Sequence, residues 1–292
     1  MYNISSKLFC KTLELGNFKY WVEKSLKHPP RTTKPLFPKA YKDKFTIEEF
    51  QVMNYSVFTL VPDGIEGNRH IIYFHGGAYI FQGNIMQRKL VEYIATHSQS
   101  TISYIDYPLV PENTYRETFE MVRLSYITLL KLHPEDEFML MGDSAGGGLA
   151  LAFAQFLLKQ NPDIQPLKTV LFSPWLDITM KHPDIKALED IDKILPLKGL
   201  VEIGEKYAGG DNPQHYLLSP IYGEFEKLGE TIIFYGTNEI LYPDCKKLRD
   251  EVVCDNTNFT FYEFPSMPHD WVIFPIIEAR QALDIAVEFI KK

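Results

Sequence analysis

From residue 71 onward, short apolar runs rich in β-branched and aromatic residues alternate with longer stretches whose apolar positions recur at helical spacing. The runs at 71–74, 101–105, 138–141, 170–172, 231–235 and 259–264 predict strands. Helices are predicted at 87–97, 115–132, 149–160 and 276–290. Such alternation implies an α/β fold: a mostly parallel central sheet flanked by helices on both faces. Residues 50–61 alternate polar and apolar, which predicts one strand of an antiparallel hairpin, closed by the turn Pro62-Asp63-Gly64. Two stretches break the pattern. Residues 8–26 are helical and are followed by a proline-punctuated segment from His28-Pro29-Pro30 to Pro38, while 178–219 holds helical and loop-like pieces without a clear strand. Insertions of that length are usually functional. Residues of about 1–48 and about 178–219 are therefore expected to form a helical cap on a single domain spanning 1–292.

The chain has 292 residues, 45% of them hydrophobic and 14% aromatic, which is the composition of a globular protein with a large core. It shows no repeats and no low-complexity segments. A formal net charge of −8 argues against nucleic acid or an anionic membrane as the main partner, and no Lys/Arg block reverses that. Cys10, Cys245 and Cys254 are odd in number and lack metal-ligand spacing, so reduced thiols in a cytoplasmic protein are expected. Lys7, Lys11, Glu14 and Lys19 interrupt the apolar residues of the N-terminus, unlike the continuous apolar region of a signal peptide. No run of eighteen apolar residues exists, so no integral membrane association is expected.

The candidate chemistry follows strand ends, where open parallel sheets place their sites. Phe138 to Met141 runs directly into Gly142-Asp143-Ser144-Ala145-Gly146, and a helix follows. This strand–Gly-x-Ser-x-Gly–helix context predicts a nucleophile elbow with Ser144 at its apex. A serine hydroxyl is a weak nucleophile, so a base and an oxyanion site are also required. After the first parallel strand comes His75-Gly76-Gly77-Ala78, a loop of the type that supplies oxyanion-hole N–H groups in esterases. The backbone N–H groups of Gly76, Gly77 and Ala145 are the expected donors, each worth roughly 3 kcal/mol of barrier. A tight turn that merely uses glycine is the plainer alternative. Glu239, in Gly236-Thr-Asn-Glu-Ile-Leu241, is the candidate acid that orients the base, with Asp244 in reserve. His269, in Met267-Pro-His-Asp-Trp271, is the candidate base, whereas His70, His97 and His133 fall at element edges as ordinary residues. Asp143 is expected to stabilise the elbow or contact substrate. Tyr79, Phe81, Trp175, Trp271 and Phe274 are candidates for an apolar substrate pocket, with plain core packing as the alternative, above all for Phe81 and Phe274.

The order Ser144, Glu239, His269 is the serine–acid–histidine order of α/β-hydrolases. Beyond that order, the chain resembles the hormone-sensitive-lipase-like branch, the bacterial esterases related to arylacetamide deacetylase. The matching segments are His75-Gly-Gly-Ala78, Asp106-Tyr-Pro-Leu-Val-Pro-Glu112, Gly142-Asp-Ser-Ala-Gly-Gly147, Ser173-Pro-Trp-Leu-Asp177, Ser219-Pro220, Gly236 to Leu241 and Met267-Pro-His269. The resemblance implies a cofactor-free ester hydrolase, without a metal, whose helical cap is built partly from the N-terminus. The chain departs from the family pattern at Ala78 (usually glycine), Glu239 (usually aspartate) and Pro108 (usually arginine), and Glu112 is read as a loop anchor. The expected activity is a serine carboxylesterase acting on short- to medium-chain uncharged small-molecule esters. An arylformamidase-type amide hydrolase is one alternative. A non-catalytic ligand-binding module is another, although such relatives typically lose the histidine.

Overall fold

The computed structural model describes residues 4–32, 36–65, 67–253 and 258–292. Segments such as Ile71-Ile72-Tyr73-Phe74 are apolar on both sides of the pleat, so they are stable only where both sheet faces are covered. They lie in one eight-stranded sheet. Its strands are β1 (Phe45–Val52), β2 (Tyr55–Pro62), β3 (Arg69–Phe74), β4 (Thr101–Ile105), β5 (Glu137–Asp143), β6 (Lys168–Phe172), β7 (Glu230–Asn238) and β8 (Phe259–Pro268). The spatial order is β1-β2-β4-β3-β5-β6-β7-β8. Pairing is antiparallel at β1/β2 and β2/β4 and parallel across the other five junctions.

The helices are α1 (Ile4–Leu15), α2 (Phe18–Lys27), α3 (Ile85–Ser98), α4 (Tyr115–Leu132), α5 (Ser144–Gln160), α6 (Ile185–Leu188), α7 (Leu197–Ala208), α8 (Tyr242–Lys247) and α9 (Ile277–Lys291). Leu90, Val91 and Ile94 of α3 join Ala282 and Leu283 of α9 in the core on one sheet face. Phe119 and Val122 of α4 and Leu149 to Phe153 of α5 fill the core on the other. Sequence marks where these helices begin. Asn84 and Gln87 close a reciprocal capping box on α3, and Thr114 and Glu117 do the same on α4. No helix among the described residues is long and apolar enough to cross a membrane.

One sequence expectation is corrected here. Residues 50–61 are not a single strand: the chain turns at Met53-Asn54, with φ of 52° and 69°, and Val52 pairs with Tyr55. Two consecutive residues with positive φ match the right-handed twist of the flanking strands, so the hairpin closes there rather than at Pro62-Asp63-Gly64. The sheet accordingly starts at Phe45, inside the stretch expected to belong to the cap.

The N-terminal helices are tied to the 178–219 segment and to the loop after β4. Lys19 donates to the Asp192 carbonyl at 3.2 Å, and Lys193 pairs with Glu14 at 3.4 Å. Gly199 of α7 gives Leu26 of α2 its place, because a Cβ there would stand 2.5 Å from Leu26 Cδ1. Arg31 donates to the carbonyls of Ile80 and Val110 at 2.5 and 2.7 Å and pairs with Glu112 at 2.8 Å. That guanidinium holds the Glu112 carboxyl below its ordinary range.

Candidate active site

The elbow is a consequence of steric exclusion. A Cβ on Gly142 would lie 2.2 Å from the Gly146 carbonyl oxygen, and one on Gly146 would lie 2.0 Å from that of Phe74. Only hydrogen fits at either position, so α5 starts immediately where β5 ends. Ser144 itself takes φ of 52°, a left-handed conformation costly for a residue with a Cβ and typical of strain stored at functional sites. The sheet order then does the assembling. β3 and β5 are neighbours, which sets the His75-Gly76-Gly77 loop beside Ser144. A Cβ on Gly76 would lie 3.0 Å from Ser144 Cβ, which measures how closely the two turns meet.

Ser144, Glu239 and His269, far apart in sequence, come together in one line. Ser144 Oγ donates to His269 Nε2 at 2.9 Å, and His269 Nδ1 donates to Glu239 Oε2 at 2.5 Å. All three are buried. Because a carboxylate only accepts, Glu239 selects the tautomer that leaves Nε2 free to take a proton. Its other oxygen accepts from Ser173 Oγ and from the Gly236 N–H, each at 2.8 Å. Ser173 follows β6, between the strands that carry Ser144 and Glu239, and its Oγ also accepts from the Asp270 N–H at 3.2 Å. The reserve acid Asp244 is not in this line. It is buried, one of its oxygens lacks a hydrogen-bond partner, and burial together with nearby Asp177 pushes its pKa up to about 7.

Asp192 and Asp270 had no role assigned from sequence, whereas Asp143 was expected to stabilise the elbow or contact substrate. Asp192, in the 178–219 segment, accepts from the N–H groups of Ile194, Leu195 and Ile240 at 2.8, 2.9 and 2.9 Å. It thus grips the residue next to Glu239, and burial raises its pKa while His269 opposes the shift. Asp143, beside the serine, accepts from Tyr73 Oη and from Gln87 Nε2, the latter at 2.7 Å. Asp270 lies against Asp143, and its pKa is pushed well above the carboxylate range, first by burial and then by the Asp143 charge. Asp192 and Asp270 have no motif of their own; only proximity in the fold reveals them.

A cavity of about 500 Å³ opens onto Ser144 and His269. Phe81 and Phe274 line it. Tyr79, Trp175 and Trp271 are not among its lining residues, which corrects their expected place in the pocket. Tyr79 is instead stacked between Trp175 and Tyr207, with ring centroids 5.8 and 3.8 Å away, locking α7 onto the glycine loop. Trp271 packs on Phe264 at 5.0 Å. The remaining walls come from elements whose apolar faces had no assigned target: Trp21, Val22 and Leu26 of α2, and Ile194, Leu195 and Leu200 opposite them. Ala78 and Tyr79 both take positive φ, 52° and 58°, so the loop keeps a glycine-like path despite the alanine.

At the far end of the sheet, His70, His133 and Asp136 cluster closely enough to hold a metal ion. Both ring nitrogens of His70 are already engaged, by Asp136 and Ser103 at 2.8 Å each, so the group is a closed hydrogen-bond chain. Cys245 is buried and unpaired, while Cys254 lies outside the described residues.

Comparison with known proteins agrees with this geometry. A sequence profile described as the alpha/beta hydrolase fold matches residues 71–273, and the chain belongs to the α/β-hydrolase family. Within it, the chain is a carboxylic ester hydrolase of the hormone-sensitive-lipase-like branch. It is 30% identical over 224 residues to an esterase of Acinetobacter venetianus, covering 75% of this chain and 73% of that one. It is 29% identical over 229 residues to an acetyl-hydrolase of Streptomyces hygroscopicus, covering 77% and 76%. Among solved structures, a hormone-sensitive lipase from a metagenome library superposes with a TM-score of 0.81 at 26% identity, covering 98% of this chain and 97% of that one. An esterase of the bacterial hormone-sensitive lipase family gives 0.80 at 25% identity, covering 100% and 99%.

Proposed function

We propose that the protein is a serine carboxylesterase for short- to medium-chain uncharged esters, with Ser144 as nucleophile, His269 as general base and Glu239 as the residue that orients it. The observation that carries this reading is the hydrogen-bonded line from Ser144 Oγ through His269 to Glu239, at 2.9 and 2.5 Å, opening into the cavity. Ser144 Oγ attacks the ester carbonyl carbon as its proton passes to His269 Nε2. The N–H groups of Gly76, Gly77 and Ala145 receive the oxyanion. Collapse of the tetrahedral intermediate breaks the bond to the alcohol oxygen, which leaves with the proton from His269. Water, deprotonated by the same nitrogen, then cleaves the acyl-enzyme to release the acid and restore the serine.

The substrate class rests on the cavity wall. Among the described residues no Lys or Arg lines it, and its one carboxyl besides the chemistry, Asp270, has its pKa raised well above the carboxylate range by burial. A charged acyl group would enter unpaired, at a cost of several kcal/mol. A volume of about 500 Å³ is that of an ordinary small-molecule site rather than an extended lipid groove. We further take α1, α2 and the 178–219 segment as the cap that closes this cavity, supported by the contacts of Leu26 and Lys19. Parallel hydrolysis of p-nitrophenyl acetate, butyrate, octanoate and palmitate by wild type and Ser144→Ala tests the reading. The expected result is turnover of the first three, little of palmitate, and loss of about 10³-fold or more in the variant. Wild-type protein that turns over N-formyl aryl amides but no ester overturns it.

A further inference from the structure

The two N-terminal helices leave large apolar side chains in solvent. Leu15 is 76% exposed, Trp21 57% and Tyr20 51%. Tyr20 and Trp21 meet edge to face at 5.8 Å, and Leu15 closes the preceding helix. Contiguous exposed apolar groups of this kind mark interaction surfaces. This one sits at the rim of the cavity, because Phe18 and Trp21 line the cavity and also face solvent.

Charge specifies what covers it. Helices α1 and α2 hold five Lys against two Glu, a net of +3, in a chain whose total is −8. The overall negative charge, which argued against an anionic membrane, is therefore an average over two opposed regions. Lys11, Lys24 and Lys27 of the same two helices are exposed, and Lys24 Nζ lies 5.6 Å from the centre of the Trp21 ring. Aromatic rings with a polar edge, flanked by lysines whose stems cover apolar surface, are the chemistry of a helix lying in a lipid–water interface. A second copy of the chain fits poorly, because a symmetric contact would set two such basic faces against each other.

We propose that α1 and α2 form a docking face for an anionic lipid surface, and that docking seats the cavity mouth on that surface. Trp21, Tyr20 and Leu15 enter the interface, Lys11, Lys24 and Lys27 stand among the headgroup phosphates, and the acidic remainder of the molecule turns away. An amphiphilic ester dissolved in the lipid then passes to Ser144 along the wall that Phe18 and Trp21 already build.

The molecule carries its own reporter. Of three tryptophans, Trp175 and Trp271 are 1% and 0% exposed, so an emission shift on binding belongs to Trp21. Ser144→Ala protein, which leaves the lipid intact, is titrated with vesicles of phosphatidylcholine alone or mixed with phosphatidylglycerol. Co-sedimentation is read beside fluorescence. The expected result is a blue shift and co-sedimentation at least about tenfold stronger with the mixed vesicles, weakened by raised salt. Combined Lys11→Glu, Lys24→Glu and Lys27→Glu reduces binding at least about tenfold. The same three changes leave p-nitrophenyl acetate hydrolysis intact when Ser144 is present, which shows that the variant is folded. Absence of binding to mixed vesicles at low salt overturns the proposal, as does equal binding to both vesicles or indifference to the charge reversal. A blue shift that grows with protein concentration without lipid, together with a dimer in sedimentation, also overturns it and assigns the face to self-association.

Discussion

The carboxyl of Asp270, which follows His269, lies against that of Asp143, which precedes Ser144, and Asp143 helps to raise the Asp270 pKa. The pair braces the two loops from which nucleophile and base project, with Tyr73 and Gln87 supplying further donors to Asp143. Burial, and then the Asp143 charge, raise the Asp270 pKa well above the carboxylate range, which favours its neutral form. As pH rises through its elevated pKa, two carboxylates face each other beside Ser144 and the brace loosens. Wild-type kcat/KM is expected to fall on the alkaline side. Asp270→Asn, which donates without titrating, retains activity to higher pH. Coincident alkaline limbs in pH profiles of p-nitrophenyl butyrate hydrolysis contradict this.

Glu239 and Asp244 are five residues apart, and only one meets the histidine. Glu239→Gln puts an amide where an acceptor is required and is expected to lower kcat by about 10³-fold or more. Asp244→Asn leaves kcat within its order of magnitude. Steady-state kinetics of both variants decide it, and the opposite ranking assigns the triad acid to Asp244.

Asp244 carries a different signature. Its pKa of about 7 in the folded protein lies above the unfolded value of about 3.9. Between those values the folded state holds a proton that the unfolded state has released. This group's contribution to stability is therefore complete below pH 4 and is lost as pH rises through 7. Asp244→Asn removes that slope. Relative to wild type, the variant gains on the order of 4 kcal/mol between pH 4 and pH 8, read as a divergence of the two melting curves. Parallel dependence of Tm on pH refutes it.

Steric exclusion at the elbow predicts an ordering among three adjacent glycines. A Cβ at Gly146 meets backbone oxygen at 2.0 Å and one at Gly142 at 2.2 Å, whereas at Gly147 the nearest atom is Pro174 Cβ at 3.0 Å. Gly146→Ala and Gly142→Ala are expected to destabilise by about 3 kcal/mol or more and to abolish turnover. Gly147→Ala costs visibly less in a thermal melt. Equal Tm losses at all three positions refute the steric account.

The branch-level signals were legible because they are local. Gly142, Gly146 and Ser144 lie within five residues, and their small-x-Ser-x-small pattern is a steric requirement of one turn. The strand run before them and the helical run after them supply the context. Glu239 and His269 were recoverable because each follows a strand, and strand ends can be counted along the chain. The hairpin was misplaced for a comparable reason. Met53-Asn54 carries no glycine to announce two positive φ values, while Pro62-Asp63-Gly64 carries three common turn residues without closing the hairpin.

By itself, then, the sequence determined the alternation of strands and helices and the elbow, and it pointed to the serine, acid and histidine that the fold brings into one hydrogen-bonded line. These follow from periodicity and from backbone sterics acting over a few residues. Tertiary structure decided everything that depends on which side chain meets which. Tyr79, Trp175 and Trp271 became packing while Trp21, Val22 and Ile194 became cavity wall. Asp192 reached the neighbour of Glu239 from 48 residues away. Asp270 came against Asp143 from the other side of the elbow. An aromatic ring or a carboxyl is chemically the same in a core, a cavity or an interface, and only the surrounding desolvation and partners give it a role.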